Sequence, residues 1–512
     1  MQNNITTWLD ETAARFPDKV GYGDRDREWT FREIRETALR MAGRMAEAGL
    51  FRAPVAVYMD KRVEVIACMF AAAYSGNFYT PIDVGMPASR VSKILEILQP
   101  RWILTREELR DGSVALATEA AGKPEVRTFE ELSLLKPEEE AGLREKALRQ
   151  RERTIDTDLL YVLFTSGSTG TPKGVSICQR SVIDYIESLI ETIPFTPEDV
   201  FGNQAPFYFD NSITDIYTAM KLGATMQIIP EDLFSWPALL LDYIEEKKIN
   251  SLFWVPTALI HIARVKALRN RNFEGKITKV FCCGEVMPVK QLNYWRQNLP
   301  NAFYANLYGP TEITDVCTIY IVDREFSDEE ALPIGRSMRN SDVFLLDEKD
   351  RLIEDASGGI GEICIRGTCL SRGYYRNPEK TRAAFVQNPL NDAYPETIYR
   401  SGDLARYNER GEIMYLSRKD FQIKHLGFRI ELGEIETAVS SLPEMGLNCC
   451  LYDEKRSRIV LIAEGEYRLE DLTPRLKTLL PDYMLPGRLI CLEKMPLNVN
   501  GKIDRVALKE LL

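Results

Sequence analysis

The stretch YVLFTSGSTGTPKGVSI (residues 161–177) decides the fold. An apolar, β-prone run from Tyr161 to Phe164 enters a loop made almost wholly of Thr, Ser and Gly. The chain then leaves through Lys173 and Gly174 into a second β-prone run that begins at Val175. This pattern predicts a strand, an anion-binding loop and a second strand. Gly167, Gly170 and Gly174 let the backbone come close to an anion, and the hydroxyls of Thr165, Ser166, Ser168, Thr169 and Thr171 are placed to donate to its oxygens. Lys173 supplies the only full positive charge. The P-loop pattern differs, because there the lysine opens a helix, whereas here Pro172 precedes it, Gly174 follows it and the exit is extended. A Gly/Ser/Thr cluster also reads as a plain surface turn, so the decision falls to the rest of the chain.

Length and composition narrow the options. A chain of 512 residues is too long for one ordinary core, so at least two domains are expected, and 45% hydrophobic with 28% charged residues is a globular mixture. The start, MQNNITTWLDE, lacks a basic-then-apolar leader, and the longest apolar run (residues 65–74) is about half of a membrane span, so a cytoplasmic protein without membrane insertion is expected. A net charge of −11 argues against nucleic acid or an anionic lipid surface as the main partner. The 10 cysteines include no CxxC pair and read as reduced thiols. With only His261 and His425, neither a histidine-rich metal site nor a Ser-His-Asp triad is expected.

Upstream of the loop, Thr30 and Glu33 fit a capping box, and Phe31, Ile34, Ala38, Met41 and Met45 recur at helical spacing. Residues 55–59 read as a strand, 65–74 as a buried helix, 77–95 as a loop with an amphipathic helix, and 106–158 as solvated surface helices. Downstream, NQAPFYFDNSITDIY (residues 203–217) sets Asp210 among Phe207, Tyr208, Phe209, Ile213 and Tyr217, where an unpaired carboxylate is costly to bury. Asp210 therefore needs a partner, or else it caps a helix. Residues 252–256 and 280–283 read as short buried strands whose following turns lie at the carboxyl edge of a sheet, where ligands bind.

Further segments follow in series: NLYGPTE (306–312), EICIRGTCLSRGYYR (362–376), YRSGD (399–403), RKDFQIKHLGFRIELGEIE (418–436), LPDYMLP (480–486) and NVNGKIDR (498–505). Together with TSGSTGTPKG (165–174) they resemble the motif series of the adenylate-forming superfamily, in order and spacing, from about residue 20 to the last ten residues. That superfamily contains acyl-CoA synthetases, luciferases and the amino-acid adenylating enzymes of nonribosomal peptide and teichoic-acid pathways.

The resemblance implies an α/β fold, with a large N-terminal domain (1–419) of β-sheets sandwiched by helices and a small, mobile C-terminal α+β domain (420–512) hinged at Asp420. It implies ATP bound through Thr165, Ser166, Gly167, Ser168, Thr169 and Gly170 at the phosphates. Gly284, Glu285, Asn306, Tyr308, Gly309, Thr311, Asp403 and Arg418 would serve elsewhere on the nucleotide. Tyr308 offers a face to the purine, Asn306 reaches its edge, and Asp403 takes the ribose diol. Glu312 is the Mg²⁺ ligand, and Lys173, Glu312 and Lys502 are the catalytic groups. Asp210 pairs with the substrate's α-ammonium, while Asn211, Thr214, Cys283, Leu307 and Asp315 line the side-chain pocket. The implied partner is the phosphopantetheine thiol of a carrier protein, expected to be a separate chain.

Within the superfamily, chain length, CGEVMP (283–288) and DFQIK (420–424) are most similar to stand-alone D-alanine–carrier-protein ligases. Asn211, Thr214 and Asp315 depart from that likeness, since those ligases have small or apolar residues there. An Asp315 buried beside an alanine methyl is expected to be unpaired and costly. D-alanine thus stands against a polar or cationic amino acid for a small nonribosomal assembly line. Two other classes remain in view: an acyl-CoA synthetase acting on an acid without an amine, and a non-catalytic nucleotide-binding regulator.

Overall fold

The computed structural model describes residues 2–512 apart from 135, 168–169, 355–357 and 498–502. The deciding stretch forms the expected hairpin: strand Leu159–Thr165 pairs antiparallel with Lys173–Cys178, and the last pair, Thr165 with Lys173, closes the loop. The hairpin edges a six-stranded sheet that continues through Phe78–Ile82, Pro54–Tyr58, Trp102–Thr105 and Glu125–Thr128, all parallel.

A nine-stranded sheet takes in Val20–Gly23 and Glu28–Thr30 together with strands from residues 200–337. Its middle is parallel, from Phe303–Tyr308 through Lys279–Cys283, Ser251–Trp254, Val200–Asn203 and Thr225–Ile228 to Val20–Gly23. The carboxyl ends of these strands feed the segments carrying Asp210, Thr257, Gly284, Glu285 and Glu312. Helix Val63–Tyr74 is buried along its whole length, and its residues share one core with Tyr22 of the larger sheet and Val55 and Leu163 of the smaller. Helix Phe31–Glu47 carries the predicted capping box, with Thr30 accepting from the Glu33 amide and Glu33 from the Thr30 amide, and it buries its predicted apolar face.

A third, antiparallel sheet spans residues 341–418. From Gln422 onward the chain forms hairpin Gln422–His425 with Phe428–Glu431, and a three-stranded sheet of Asn448–Asp453, Arg458–Glu464 and Arg488–Leu492. Alternate residues of this sheet face opposite sides. Cys450, Ile459 and Leu461 pack with the hairpin's Ile430, whereas Cys449, Leu451 and Val460 pack with Met495, Ile503 and Leu508.

Two local expectations are corrected. Residues 78–82, expected as loop, are a central strand despite Pro81. The Val162 carbonyl, which an N–H at position 81 would reach, instead takes the Thr80 hydroxyl at 2.8 Å. The charged stretch expected as surface helices also contains Glu125–Thr128, a short edge strand with polar residues of the kind that blunts further pairing. Ser401, Gly402 and Asp403 lie inside strand Thr397–Tyr407, where the register with Gly361–Gly367 shifts. Among the described residues no helix is long and apolar enough to cross a membrane.

Candidate active site

The hairpin holds the phosphate loop so that its donors converge. Gly170 N–H closes a turn onto the Gly167 carbonyl at 2.9 Å, and a Cβ at Gly167 would lie 2.0 Å from the Thr171 carbonyl oxygen, so only glycine fits there. Ser168 and Thr169 lie outside the described residues. The groups meeting these donors are carboxylates from beyond residue 430. Gly167 N–H donates to Glu434 at 3.2 Å, and Lys173 Nζ lies 3.2 Å from Glu431. Ser166 donates to the Arg429 carbonyl (2.8 Å) and accepts from the Glu431 amide (3.2 Å). The loop therefore binds anions in this structure, the carboxylates of Glu431 and Glu434.

Glu312 sits on the short turn Thr311–Ile313 that follows strand Phe303–Tyr308, and it is 0% exposed. The Tyr374 hydroxyl donates to one oxygen at 2.8 Å and Arg429 Nη1 to the other at 2.7 Å. Burial alone would push this carboxyl up, but Arg429 and then Lys173 outweigh it and hold the pKa down at about 2. Lys173 also lies over the Tyr374 ring, 5.5 Å from its centre. A hard oxygen fixed in its ionised form and already matched to a cation suits a divalent metal, with the guanidinium standing in for it.

At the nucleoside end, the Tyr308 hydroxyl donates to Asp403 Oδ2 (2.5 Å) and Arg418 Nη1 to Oδ1 (2.8 Å). Arg418 also grips Asp420, with Nε 2.6 Å from Oδ1, so the expected hinge residue is tied to the ribose-site pair. Glu285 accepts from Thr257 N–H at 3.0 Å and from Gly427 N–H at 2.8 Å, which places the 426–427 turn against Val255. Gly309 packs against the Asp315 carbonyl. The Asn306 amide donates to the Pro333 carbonyl (2.8 Å) and its oxygen accepts from the Cys282 thiol (3.3 Å).

Asp210 lies at the N-cap of helix Asn211–Leu222, where its carboxylate accepts from the Asn211 amide (3.2 Å) and from the Thr311 hydroxyl. The residue caps a helix, the second of the two sequence readings, and among the described residues it has no ion-pair partner. Burial first, and the charge of Glu312 second, raise its pKa. One turn along the helix, Thr214 donates to Asp315 Oδ2, as does the Tyr185 hydroxyl at 3.0 Å. Asp315 follows Thr314 in the left-handed region, with φ of 71° and 64°, an uncommon conformation for a non-glycine pair and an outlier for a β-branched threonine. Thr314 is held there by donating to the Cys369 carbonyl at 2.9 Å. Asp315 is 1% exposed, and burial followed by the nearby Asp210 raises its pKa well above the usual carboxylate range.

Asp315 is thus less isolated than expected, since two hydroxyls serve Oδ2. Oδ1, like Asn211 Nδ2, finds no partner among the described residues. Cys283 is buried beside this pocket and responds to both Asp315 and Asp210, and Leu307 is buried in the core. Tyr185, on helix Gln179–Thr192, escaped sequence reasoning because it looks like any other core aromatic of an amphipathic helix. Arg429, Glu431 and Glu434 were also missed as site residues. Lys502 lies outside the described residues, and Ile503 next to it packs on the sheet face opposite the one that carries the hairpin. A wide cavity of about 1020 Å³, lined among others by Arg180, Ser371 and Gly373, touches the 362–376 segment but contains none of the residues expected to bind nucleotide or substrate.

Comparison with known proteins agrees with this geometry. The chain is 31% identical over 521 residues to the zwittermicin A synthase ZmaJ of Bacillus cereus, covering 99% of this chain and 95% of that one. It is 29% identical over 522 residues to a D-alanine–D-alanyl carrier protein ligase of Lacticaseibacillus casei, covering 99% of each. Among solved structures, the Vibrio cholerae adenylation domain AlmE in complex with glycyl-adenosine-5'-phosphate superposes with a TM-score of 0.85 at 21% identity, over 100% of this chain and 98% of that one. The family model described as AMP-binding enzyme matches residues 9–375. The chain belongs to the AMP-binding enzyme family.

Proposed function

We propose that this protein activates an amino acid with ATP as an aminoacyl-adenylate and then passes it to the phosphopantetheine thiol of a separate carrier protein, as an AMP-forming ligase. The observation that carries this reading is that consecutive residues join two charge sites in one cleft. Thr311 hydrogen-bonds the buried Asp210, which lacks a cation, while Glu312 faces a guanidinium beside the anion-holding loop. An ammonium at Asp210 sets the substrate's carboxylate toward the phosphates.

In the first step a carboxylate oxygen attacks the α-phosphorus of ATP and the bond to pyrophosphate breaks. Lys173 and Lys502 offset the charge of the two anions as they meet. Glu312 would hold Mg²⁺, which neutralises phosphate charge when bound. In the second step the thiol sulfur attacks the acyl carbon, AMP departs and the thiol proton passes to solvent. Residues 1–419 and 420–512 act as two domains that turn about Asp420. This structure supports an arrangement for the second step, because Gly427 lies against Glu285 and Val255, and Arg429 and Glu431 occupy the phosphate end. The first step needs that hairpin withdrawn and the face carrying Ile503 turned inward.

The full-length likeness to a D-alanine–D-alanyl carrier protein ligase supports a stand-alone ligase. The side-chain pocket favours a polar or cationic amino acid over D-alanine, because Asp315, Thr214 and Tyr185 form a buried polar network where a methyl would sit. A cytoplasmic location goes with this chemistry. ATP–pyrophosphate exchange across L- and D-amino acids and simple carboxylic acids, followed by loading of a holo-carrier, tests the reading. AMP release that depends on free CoA and an acid without an amine would overturn it.

A further inference from the structure

We propose that the amino acid bound here carries a second cation, an ω-ammonium two or three methylenes beyond Cα as in 2,4-diaminobutyrate or ornithine, and that Asp315 receives it on a shelf built by Tyr185. This rests on the aminoacyl-adenylating reading above and names its substrate class.

The argument begins with the orphaned oxygen. Asp315 is almost wholly buried, and its Oδ2 is approached by the hydroxyls of both Thr214 and Tyr185, whose oxygens lie 2.6 Å apart. These two hydroxyls fix the carboxyl plane and leave Oδ1 without a partner among the described residues. A buried polar atom in a native structure is nearly always satisfied, so an unsatisfied one in a substrate pocket is reserved for the ligand.

Charge sets the sign of that ligand. The titratable groups that act most strongly on Asp315 are Asp210, Asp215 and Tyr185, Tyr161 also responds to its charge, and Cys283 lies at the pocket wall; none of these supplies a positive charge. Lys424 is felt at Cys283, yet among the described residues neither Asp210 nor Asp315 has a lysine, arginine or histidine nitrogen within ion-pair reach. Two uncompensated carboxyls close together oppose each other's ionisation and call for two cations. Placing the second one is also opposed locally, since Thr314 and Asp315 must both take left-handed backbone to point it inward.

Distance sets the stem length. Asp210 precedes helix Asn211–Leu222, and Thr214, which holds Asp315, comes four residues later. That is a little over one helical turn, or about 6 Å along the axis. An α-ammonium at Asp210 and an ω-ammonium at Asp315 are then separated by about the span of two or three methylenes. Glycine and alanine leave Oδ1 bare. Tyr185 touches no substrate atom in this scheme and acts as a positioning residue.

The test compares substrates within each variant, so that any folding loss cancels. For the wild-type protein, ATP–pyrophosphate exchange should give kcat/KM for 2,4-diaminobutyrate or ornithine about 10²-fold or more above the neutral isosteres norvaline and norleucine, the range for a site built around a polar contact. Asp315→Asn should bring that ratio to within about tenfold. Tyr185→Phe should lower it by about threefold to tenfold and raise KM more than it lowers kcat. Calorimetry in two buffers of different ionisation enthalpy should show net proton release on binding the diamino acid, and less in Asp315→Asn.

A preference for alanine, glycine or serine, in either chirality, overturns the inference and leaves the proposed function standing. A diamino preference whose ratio survives in Asp315→Asn overturns the assignment of Asp315. If no amino acid supports exchange, both readings fall together.

Discussion

At the phosphate end of the cleft, Glu312 is fully buried and ionised because Arg429 and Lys173 lie beside it; at the amino-acid end, Asp210 and Asp315 are about as deeply buried and have only hydroxyls and an amide for company. The same side-chain chemistry is pushed in opposite directions, down to about 2 in one place and upward in the other two. Desolvation raises all three, and the nearby cations decide the sign. At the phosphate end the larger counter-charge, Arg429, comes from the hairpin beyond residue 420, which the proposed domain rotation would withdraw, while Lys173 belongs to the loop itself. At the other end no described residue supplies one. On the proposed function, one set of charges is exchanged between the protein's own groups and its nucleotide, and the other is held for a ligand.

The largest expected effect breaks the phosphate end. Lys502→Ala should lower ATP–pyrophosphate exchange by about two to four orders of magnitude, between the loss of an oxyanion-hole donor and that of an arginine finger. Transfer from a supplied aminoacyl-adenylate to the carrier should change little, because that step uses the arrangement in which Arg429 and Glu431 fill the phosphate end. Equal damage to both half-reactions would mean that the two ends do not alternate. Breaking the other end comes next. Asp210→Ala should cost about 2–5 kcal/mol in kcat/KM for amino acids, as when one partner of a buried ion pair is removed. An unchanged kcat/KM would show that the ammonium is held elsewhere.

A smaller effect belongs to the joint between the two regions. Gly427 has φ of 82°, and a Cβ there would lie 2.8 Å from Val255 Cγ1. Gly427→Ala should therefore disfavour this arrangement by about 1–2 kcal/mol. Transfer to the carrier should slow by roughly tenfold while exchange holds or rises, and a variant that loses exchange instead would place Gly427 in the first step.

How far these regions were legible differs for a physical reason. The phosphate loop could be read because its glycines and hydroxyls are adjacent in sequence and their geometry is local. Asp210 could be read because its apolar neighbours flank it directly. Arg429 meets Glu312 across 117 positions and Glu431 meets Lys173 across 258, and no local pattern encodes such pairs. Tyr185 carries no mark to separate it from Tyr161 or Tyr217 until the fold brings it to Asp315. The bond from Asn306 to the Pro333 carbonyl was likewise hidden, because Pro333 lies in a segment without periodicity. The strand at 78–82 was hidden by Pro81, whose missing donor is made good by a side chain on its neighbour.

The smallest effect separates the two ends without substrate, through pH. Glu312 has a folded pKa near 2 against an ordinary 4.5, so the stability it lends is complete above pH 4.5 and fades as pH falls toward 2. Asp315 has the opposite sign. Its folded pKa lies above the ordinary 3.8, so below that pH the carboxyl is protonated in both states and costs nothing. As pH rises from there the unfolded chain releases the proton first, and the folded state loses stability until its own pKa is passed. An asparagine keeps acceptor oxygen for Tyr185 and Thr214 and does not titrate. Asp315→Asn should therefore melt close to the wild type near pH 4 and about 1–3 °C above it at pH 7–8, a small shift because the unfolding entropy of so long a chain is large. Thermal melts from pH 4 to 8 measure the gap. If it is negative at neutral pH, the hydroxyl network stabilises an ionised Asp315 in the empty protein, and the contrast between the paired and the reserved end of the cleft is lost.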